Sequence, residues 1–342
     1  MSAPFVQELF RRISSVARHP ASVALLALLP TMPRPTWSQE VADPARGGAI
    51  FLLLPVGARA AALGQAAIAD AGHSEAAFWN PAGLALLPRA EFAIHYSSTF
   101  ASNNTAISAY LAPNRLGVLG ISGYLVDLGS QEIAPGPGPP IGRLSVKNIE
   151  LLVSYATTVA GDLAFGVNYK LIQFRQDCSG DCSTTPTAVG TTHGVDVGVQ
   201  YAFGGNDDLR VGLAVRHAGF KLQIQNRDQA DPLPTRVQAG IVYRVRLPQP
   251  AGVEEALDAR ILFDLQDEWG QYNDPDARVG LEIGYGDMVR IRTGYAFLHS
   301  ESRGLSVGLG LRFGQFALDF ARIIFDSSNF DEPVHISLRV AL

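Results

Sequence analysis

The sequence has little charge for its length. Lys, Arg, Asp and Glu make up 17% of its 342 residues, and the formal net charge is −5 at pH 7. Globular domains typically carry about 25% charged residues. A protein that binds DNA or RNA needs clustered cations that acids do not compensate, whereas here 27 basic residues stand against 32 acidic ones. The composition therefore predicts no nucleic-acid partner.

The sequence also lacks a hydrophobic run long enough for a membrane helix. Its most apolar stretch near the N-terminus, residues 18–34, is interrupted by Pro20, Pro30 and Pro33. A helical span needs roughly 20 consecutive apolar residues. The chain as a whole is nevertheless apolar, with 47% hydrophobic residues, and its 34 glycines and 21 prolines argue against a helical bundle.

The N-terminus has the order of features found in secretory signal peptides. Arg11, Arg12 and Arg18 precede an apolar core at residues 21–29, and small residues follow as far as Ser38. This order predicts a signal peptide over residues 1–38 that is removed on export. The alternative is a short amphipathic helix on a soluble domain.

Only two cysteines are present, Cys178 and Cys182. In an exported protein such a pair most simply closes a small disulfide loop. Two thiols without a neighbouring histidine do not complete a zinc site, which usually takes four nitrogen or sulfur ligands. The pair therefore predicts a disulfide and no metal.

From about residue 90 onward, apolar side chains alternate with small or polar ones. The pattern is clearest at residues 195–203, 279–285, 305–313 and 334–342. A period of two is typical of β-strands with one apolar face. Fourteen such segments follow one another, starting near residues 91, 104, 115, 147, 162, 194, 208, 235, 256, 277, 288, 304, 315 and 333.

The connections between these segments alternate between long and short. The long class comprises residues 128–146, 176–192, 219–234, 267–276 and 326–332, and the short class 161–162, 205–207, 286–287 and 314, with 246–255 as a longer exception. An even strand number with long loops on one side is typical of outer-membrane barrels, whose two termini lie in the periplasm. The pattern predicts an all-β fold, a 14-stranded antiparallel transmembrane β-barrel. A soluble multi-stranded sandwich or solenoid is the alternative.

The composition of the second strand face favours the barrel. That face is rich in Gly, Ala, Arg and Asp rather than in Lys, Glu, Thr and Ser. Opposite charges can pair across a lumen, where an isolated ion would be costly. The predicted lumen charges are Arg210, Arg216, Arg260, Arg290, Arg292, Arg312, Glu150, Asp196, Asp264 and Glu282. Aromatic residues on the apolar face lie toward segment ends, as interfacial girdles require.

Residues 45–89 do not alternate. Residues 57–70 are small-residue material of helical character, and a turn is predicted at residues 78–84. In that turn Asn80 can bond its own backbone, Pro81 fixes φ and Gly83 is suited to positive φ. A thin, Ala- and Gly-rich segment can occupy the lumen of a barrel as a plug. A periplasmic extension packed under the barrel is the alternative.

The segments FLLLPVGARA at residues 51–60, LG at 63–64 and WNPAGL at 79–84 resemble the N-terminal signature of the PorV/PorQ outer-membrane proteins, which belong with the FadL-type barrels. The resemblance implies fourteen strands and an N-terminal hatch, with residues 39–89 as hatch or plug containing a short helix and residues 90–342 as barrel. The hatch motif it implies comprises Gly57, Arg59, Gly64, Trp79, Asn80, Pro81, Ala82 and Gly83.

The resemblance implies two functions in one location, the bacterial outer membrane. PorV-like proteins take part in type IX secretion and would have secreted cargo proteins as partners. FadL-like proteins are instead passive transporters of hydrophobic small molecules across the outer membrane, and this is the alternative. In both cases outer-membrane lipid is a partner and the hatch must be able to move. Arg59, Asn80 and Trp79 are expected to anchor it to lumen carboxylates or backbone.

Catalysis finds little support in the sequence. Ser122 lacks the Gly-x-Ser-x-Gly setting of a nucleophile elbow. His95, His193, His217 and His335 occur singly on strands or near their ends. The Gly308-x-Gly310 pair lacks the third glycine of a dinucleotide loop. The chain is therefore expected not to be an enzyme and to carry no cofactor.

Overall fold

The computed structural model of the protein describes residues 48–99, 101–134, 136, 138–183, 187–204, 208–224, 230–247, 256–298, 304–325 and 332–342. The predicted signal peptide, residues 1–38, lies outside them. Among the described residues no helix combines the length and hydropathy that a membrane crossing requires.

Fourteen β-strands form the fold. They are β1 (Glu91–Ser98), β2 (Asn103–Tyr110), β3 (Val118–Ile133), β4 (Gly142–Ala160), β5 (Leu163–Gly180), β6 (Ala188–Phe203), β7 (Leu209–Gly219), β8 (Arg236–Arg246), β9 (Leu257–Glu268), β10 (Gln271–Tyr285), β11 (Val289–Phe297), β12 (Gly304–Phe313), β13 (Phe316–Phe325) and β14 (Val334–Ala341).

These strands close into a single antiparallel barrel. Each strand pairs with its neighbours in sequence, and β1 pairs with β14, in register from Glu91 opposite Ala341 to Ser98 opposite Val334. Closure leaves no unpaired sheet edge. The predicted 14-stranded antiparallel barrel is therefore confirmed.

The two strand faces differ as the alternation predicts. On β1, for example, Ala93, His95 and Ser97 point into the barrel and are buried, whereas Phe92 and Ile94 point outward and are exposed. The same division continues around the barrel, so that the outside is covered by exposed aliphatic and aromatic side chains. The outward aromatics include Tyr96, Tyr155, Tyr169, Tyr201, Tyr243, Tyr285, Phe313 and Phe316.

The barrel is taller on one side than on the other. We call the carboxyl ends of the odd-numbered strands the upper end and the opposite end the lower end. Strands β3 to β6 are 16 to 19 residues long, whereas about 9–11 residues cross a bilayer. Because β1, β2 and β14 have only 8 residues each, the wall formed by β3 to β6 rises above the rest of the upper end.

This raised wall corrects the predicted connections. Much of the segments 128–146 and 176–192 is strand, since β3 and β4 stay paired up to Ile133 and Gly142, and β5 and β6 up to Gln176 and Ala188. Segment 267–276 is also mostly strand, because β9 runs to Glu268 and β10 begins at Gln271. The alternation fades there because both strand faces carry polar residues, although the backbone pairing continues. Cys178 and Cys182 form a disulfide at the top of this wall.

Residues 48–87, which we call the inner segment, lie inside the barrel. They contain two short α-helices, α1 (Ala58–Ala62) and α2 (Ala76–Trp79), and two 3₁₀ helices, Ile50–Leu53 and Pro81–Leu86. The helical stretch predicted for residues 57–70 is thus only five residues long. It ends where Gly64 and Gln65 both take positive φ, 63° and 67°, which is incompatible with a continuing right-handed helix.

Candidate functional site

The inner segment fills the lower half of the lumen. Helix α1 packs against β11 to β14, and the 3₁₀ helix Pro81–Leu86 packs against β4, β5 and β6 on the other side. Almost every residue from Val56 to Leu84 is buried. The first described residue, Gly48, instead lies near the upper end, where its N–H donates to Pro232 O at 2.9 Å. The C-terminal residue, Leu342, follows the lower end of β14, and the prediction that both termini are periplasmic stays a prediction.

A belt of inward-facing glycines makes room for the inner segment. At each of these positions a Cβ atom would come closer than 3.0 Å to the inner segment. Most of the atoms it would meet belong to the backbone, which cannot swing aside as a side chain can. The belt therefore lets chain and wall approach more closely than any other residue type would. It comprises Gly166, Gly198, Gly212, Gly240, Gly280, Gly294 and Gly308.

Asn80 connects the inner segment to β6 and β7 through hydrogen bonds. Its fully buried amide nitrogen Nδ2 donates to the carbonyl oxygens of Ile68, Val199 and Leu213 at 2.8, 3.2 and 3.4 Å. Its Oδ1 accepts the N–H of Ala82 at 3.1 Å, as the predicted turn requires. Gly83 does not take the positive φ that the predicted turn would allow. Instead, a Cβ there would lie 2.8 Å from Asp70 O.

We expect Asn80→Ala to destabilise the inner segment by about 1–3 kcal/mol, because buried carbonyls lose their donor. Asn80→Asp should be worse, since a carboxylate oxygen would face three carbonyl oxygens in place of a donor. Hydrogen exchange of residues 66–84 measures the effect. Equal protection in the wild type and both variants would contradict it, and Asn114→Asp, in the exposed turn before β3, serves as the control.

Further polar groups of the barrel wall satisfy the backbone of the inner segment. Asp264 Oδ2 accepts the N–H groups of Ala67 and Ile68 at 2.7 and 2.9 Å. Gln200 Nε2 donates to the carbonyls of Ile68 and Asp70 at 2.9 and 3.0 Å. Buried backbone groups outside regular structure need such partners, so these lumen side chains hold the segment in register.

Arg59 connects the inner segment to the wall through ion pairs. It lies 2.8 Å from Asp70 and 2.7 Å from Glu282. Glu282 also pairs with Arg292 at 2.6 Å and with Arg260 at 3.2 Å. The seven charges joined in this way, which we call the Glu282 network, are Arg59, Asp70, Arg260, Glu282, Arg292, Asp319 and Arg339.

Asp70 remains ionised within this network. Burial opposes its ionisation, but the guanidinium groups of Arg260 and Arg59, together with His73, outweigh burial and hold the pKa of its carboxyl well below its usual range. Asp70 pairs with Arg59, Arg260 and His73. A buried charge of this kind is tolerated only with partners. The network therefore forms only when the inner segment, with Arg59 and Asp70, is in place against β9 and β10.

A second buried cluster lies on β4 to β7. Lys170 Nζ is 2.7 Å from Glu150 and 2.9 Å from Asp196. Next to it, the guanidinium of Arg216 lies 5.1 Å from the ring centre of Trp79, within cation–π range. Trp79 itself donates from Nε1 to Val56 O at 3.0 Å, so its hydrogen bond stays within the inner segment and does not reach the lumen wall.

The remaining predicted lumen charges lie near the lower end. Arg290 lies 3.7 Å from Asp258 and 3.5 Å from Asp287, and Arg312 is exposed. Arg210 faces inward near the start of β7. The structure thus brings the predicted lumen charges into separate places: the Glu282 network, the Lys170 cluster and the lower mouth, with Asp264 apart from them against the backbone of the inner segment.

Sequence reasoning missed several buried polar residues in and around the inner segment. Among them are Asp70, Asn168, Lys170 and Gln200. The last three alternate with Tyr169, Val199 and Tyr201 and so share the inward face, which was a usable signal. Asp70, between two alanines outside any strand, offered none.

Above the inner segment lies a cavity of about 750 Å³, which we call the upper cavity. Its wall is largely apolar, and a few cations, including Arg216, Arg236 and Arg278, reach it from one side. Apolar side chains of the inner segment form its floor, and those of the raised wall form one side. The apolar lining residues, with Leu222 after β7 and Ile323 and Phe325 on β13, include Ile50, Phe51, Leu54, Val126, Leu128, Val146, Phe174, Leu222, Ile323 and Phe325. Concave, mostly apolar spaces of this size are typical of small-molecule sites.

No protein-family model matches the sequence, and no curated protein matches it in sequence. The fold is nevertheless similar to solved structures. One is a monoaromatic hydrocarbon channel, CymD (TM-score 0.58, 13% identity), with 85% of this chain and 98% of that chain covered. Another is the toluene transporter TbuX of Ralstonia pickettii (TM-score 0.55, 12% identity), with 84% and 98% covered.

A FadL homologue of Pseudomonas aeruginosa is also similar, with a TM-score of 0.51, 11% identity, and 84% of this chain and 99% of that chain covered. At such low identities the likeness concerns the fold alone. The 14-stranded barrel of this chain is therefore similar in fold to these structures.

Proposed function

We propose that the protein is a passive transporter of hydrophobic small molecules in the bacterial outer membrane, with the inner segment as its hatch. The observation that carries the proposal is the upper cavity of about 750 Å³, which is enclosed by the barrel and lined largely by apolar side chains. Away from the side that carries the cations, a polar or charged solute would lose hydration without gaining partners. An apolar solute gains free energy by leaving water.

The outer surface supports a membrane location. Outward positions of successive strands carry exposed Leu, Ile, Val, Phe and Tyr, and large exposed apolar areas of this kind are rare on soluble monomers. The closed barrel satisfies its backbone hydrogen bonds between strands, as a lipid environment demands. Outward aromatic residues near the lower strand ends, such as Tyr285 and Phe313, match an interfacial girdle.

The hatch role rests on how the inner segment is held. It blocks the lower half of the lumen, yet hydrogen bonds and ion pairs contribute much of its attachment, because its alanines and glycines bury little area each. A ligand opens such a plug only if it binds the displaced state more tightly. We propose that filling the upper cavity supplies that difference.

The resemblance to PorV/PorQ proteins remains a prediction based on residues 51–84. The role in handling secreted cargo, which depends on that resemblance, remains a prediction as well. The neighbours in fold include transporters and channels for hydrocarbons, which favour the small-molecule alternative over secretion. They also support a role other than catalysis.

Replacing Phe174 with arginine tests the proposal. Phe174 faces inward on the raised wall and lines the upper cavity. A guanidinium there should lower toluene uptake at least about fivefold, because an apolar solute cannot compensate a charge that it desolvates. The measurement is uptake of radiolabelled toluene by cells that have no other hydrocarbon channel.

Gln173→Arg is the matched control, since Gln173 is the neighbouring residue, lies on the outward face and is partly exposed. It should leave uptake unchanged. If the wild type does not raise toluene uptake above that of cells without the protein, or if both variants behave alike, transport through the upper cavity is wrong for this ligand class.

A further inference from the structure

A second space opens below the inner segment, at the lower mouth of the barrel. This space, the lower vestibule, has a volume of about 180 Å³. One water molecule needs about 10–15 Å³ of such volume, so the vestibule has room for an anion of several atoms together with water. None of its lining residues is shared with the upper cavity.

The lower vestibule carries an excess of positive charge. Its lining includes four carboxylates, Asp258, Glu282, Asp287 and Asp319, and seven guanidinium groups. The seven are Arg59, Arg244, Arg260, Arg290, Arg292, Arg312 and Arg339. Even with Asp70, which binds Arg59 and Arg260 from behind, the cations outnumber the acids. This excess is notable in a chain whose net charge is −5.

Among the described lining residues, the arginines without a carboxylate partner lie at the lower mouth. Arg59, Arg260, Arg292 and Arg339 have their carboxylates within the Glu282 network. Arg244 and Arg312, by contrast, form no ion pair with any carboxylate in the part of the chain that the structure describes. Both side chains are exposed and belong to the inward face at the lower ends of β8 and β12.

Small residues keep this space open. Gly310, Ala317, Ala71 and Gly72 face it. At Gly310 a Cβ would lie 2.6 Å from Asp319 Oδ1 and 2.7 Å from an Arg292 nitrogen. Small residues therefore create the concavity between the arginines, and a concave wall with a net positive charge concentrates anions.

We propose that the lower vestibule is a binding site for an oxyanion, such as a phosphate or phosphate monoester, held by Arg244, Arg312 and Arg290. Guanidinium forks bind such groups through paired N–H donors. The site requires only the barrel and the inner segment as they are arranged here. Its failure would leave the transport proposal intact, and failure of transport would leave this site intact.

Calorimetric titration of the purified full chain in neutral detergent, with inorganic phosphate at low ionic strength, tests the site. The wild type should bind phosphate, and the double variant Arg244→Gln/Arg312→Gln should bind it at least tenfold more weakly. Arg322→Gln is the matched control, because Arg322 is an exposed arginine at the opposite end that pairs with Glu332. It should bind phosphate like the wild type.

The variant Asp287→Asn should change phosphate affinity in the opposite direction, because it removes a negative charge from the lower mouth. Asp287 is 86% exposed, so its replacement should not affect folding, and removing its charge from the mouth should tighten phosphate binding about threefold. No binding by the wild type, or equal affinities in the wild type, the double variant and Asp287→Asn, would overturn the site.

Butyl phosphate, titrated in parallel, identifies the source of the anion. Equal affinity for both probes supports a free oxyanion as the ligand. Tighter binding of butyl phosphate supports the head group of an apolar-tailed molecule.

Discussion

Replacing Glu282 with glutamine is expected to displace the inner segment and to open the barrel to ions. Glu282 is almost fully buried and pairs with Arg59, Arg260 and Arg292 at 2.6 to 3.2 Å, and with Arg290 at 4.0 Å. Removing one partner from a buried ion-pair network costs about 3–5 kcal/mol. Each 1.4 kcal/mol is a factor of ten in an equilibrium constant, so the displaced population should rise about a hundredfold or more.

Conductance in planar lipid bilayers measures this opening. Glu132→Gln is the control, because Glu132 belongs to a distant ion pair with Arg143 in which both side chains are 63% exposed, and exposed pairs contribute about 0–1 kcal/mol. The double variant Glu282→Gln/Arg59→Gln should recover part of the closed state, since it removes a charge that the single variant leaves unpaired. A closed Glu282→Gln barrel would show that the network does not hold the inner segment.

Replacing Gly294 with alanine should be nearly as disruptive, although it adds a single methyl group. The new Cβ would come closer than 3.0 Å to the backbone of Leu63 and Gly64. Overpacking of a well-packed interior costs about 1–3 kcal/mol, and a backbone obstacle has less freedom to move than a side chain. We therefore expect the inner segment to be displaced from the barrel wall, and hydrogen exchange at residues 58–70 to be faster than in the wild type.

Gly123→Ala is the matched control. Gly123 is also a strand glycine, but its Cβ would lie 3.5 Å from the nearest atom, a side-chain carbon of Leu151. Alanine in a strand is otherwise favoured over glycine by about 0.5–1 kcal/mol, so this variant should be at least as stable as the wild type. If hydrogen exchange at residues 58–70 is the same in both variants, the glycine belt is not required for the inner segment to pack against the barrel wall.

Both predictions concern one arrangement, in which the inner segment separates an apolar chamber from a charged mouth. The upper cavity attracts apolar solutes, whereas the lower vestibule concentrates anions. Between them, Arg59 and Asp70 link the inner segment to β9 and β10. A conformational change that breaks this link would join the two spaces.

The sequence by itself determined the strands, their number and their two faces. These features are local, because neighbouring residues of a strand point to opposite sides and the apolar side of Leu305, Val307 and Leu309 can be recognised without knowing any partner. Signals of the same kind identified Asn80 and Pro81 as turn residues.

Only the tertiary structure decided which charges meet and which glycines are indispensable. Ala58 donates its N–H to Ser337, a residue 279 positions away, and Arg59 meets Glu282 across 223 positions. Such contacts depend on barrel closure and on the height at which the inner segment sits, neither of which is encoded in a short window of sequence. The same holds for the raised wall, where paired polar strands lose the alternation but keep their backbone hydrogen bonds.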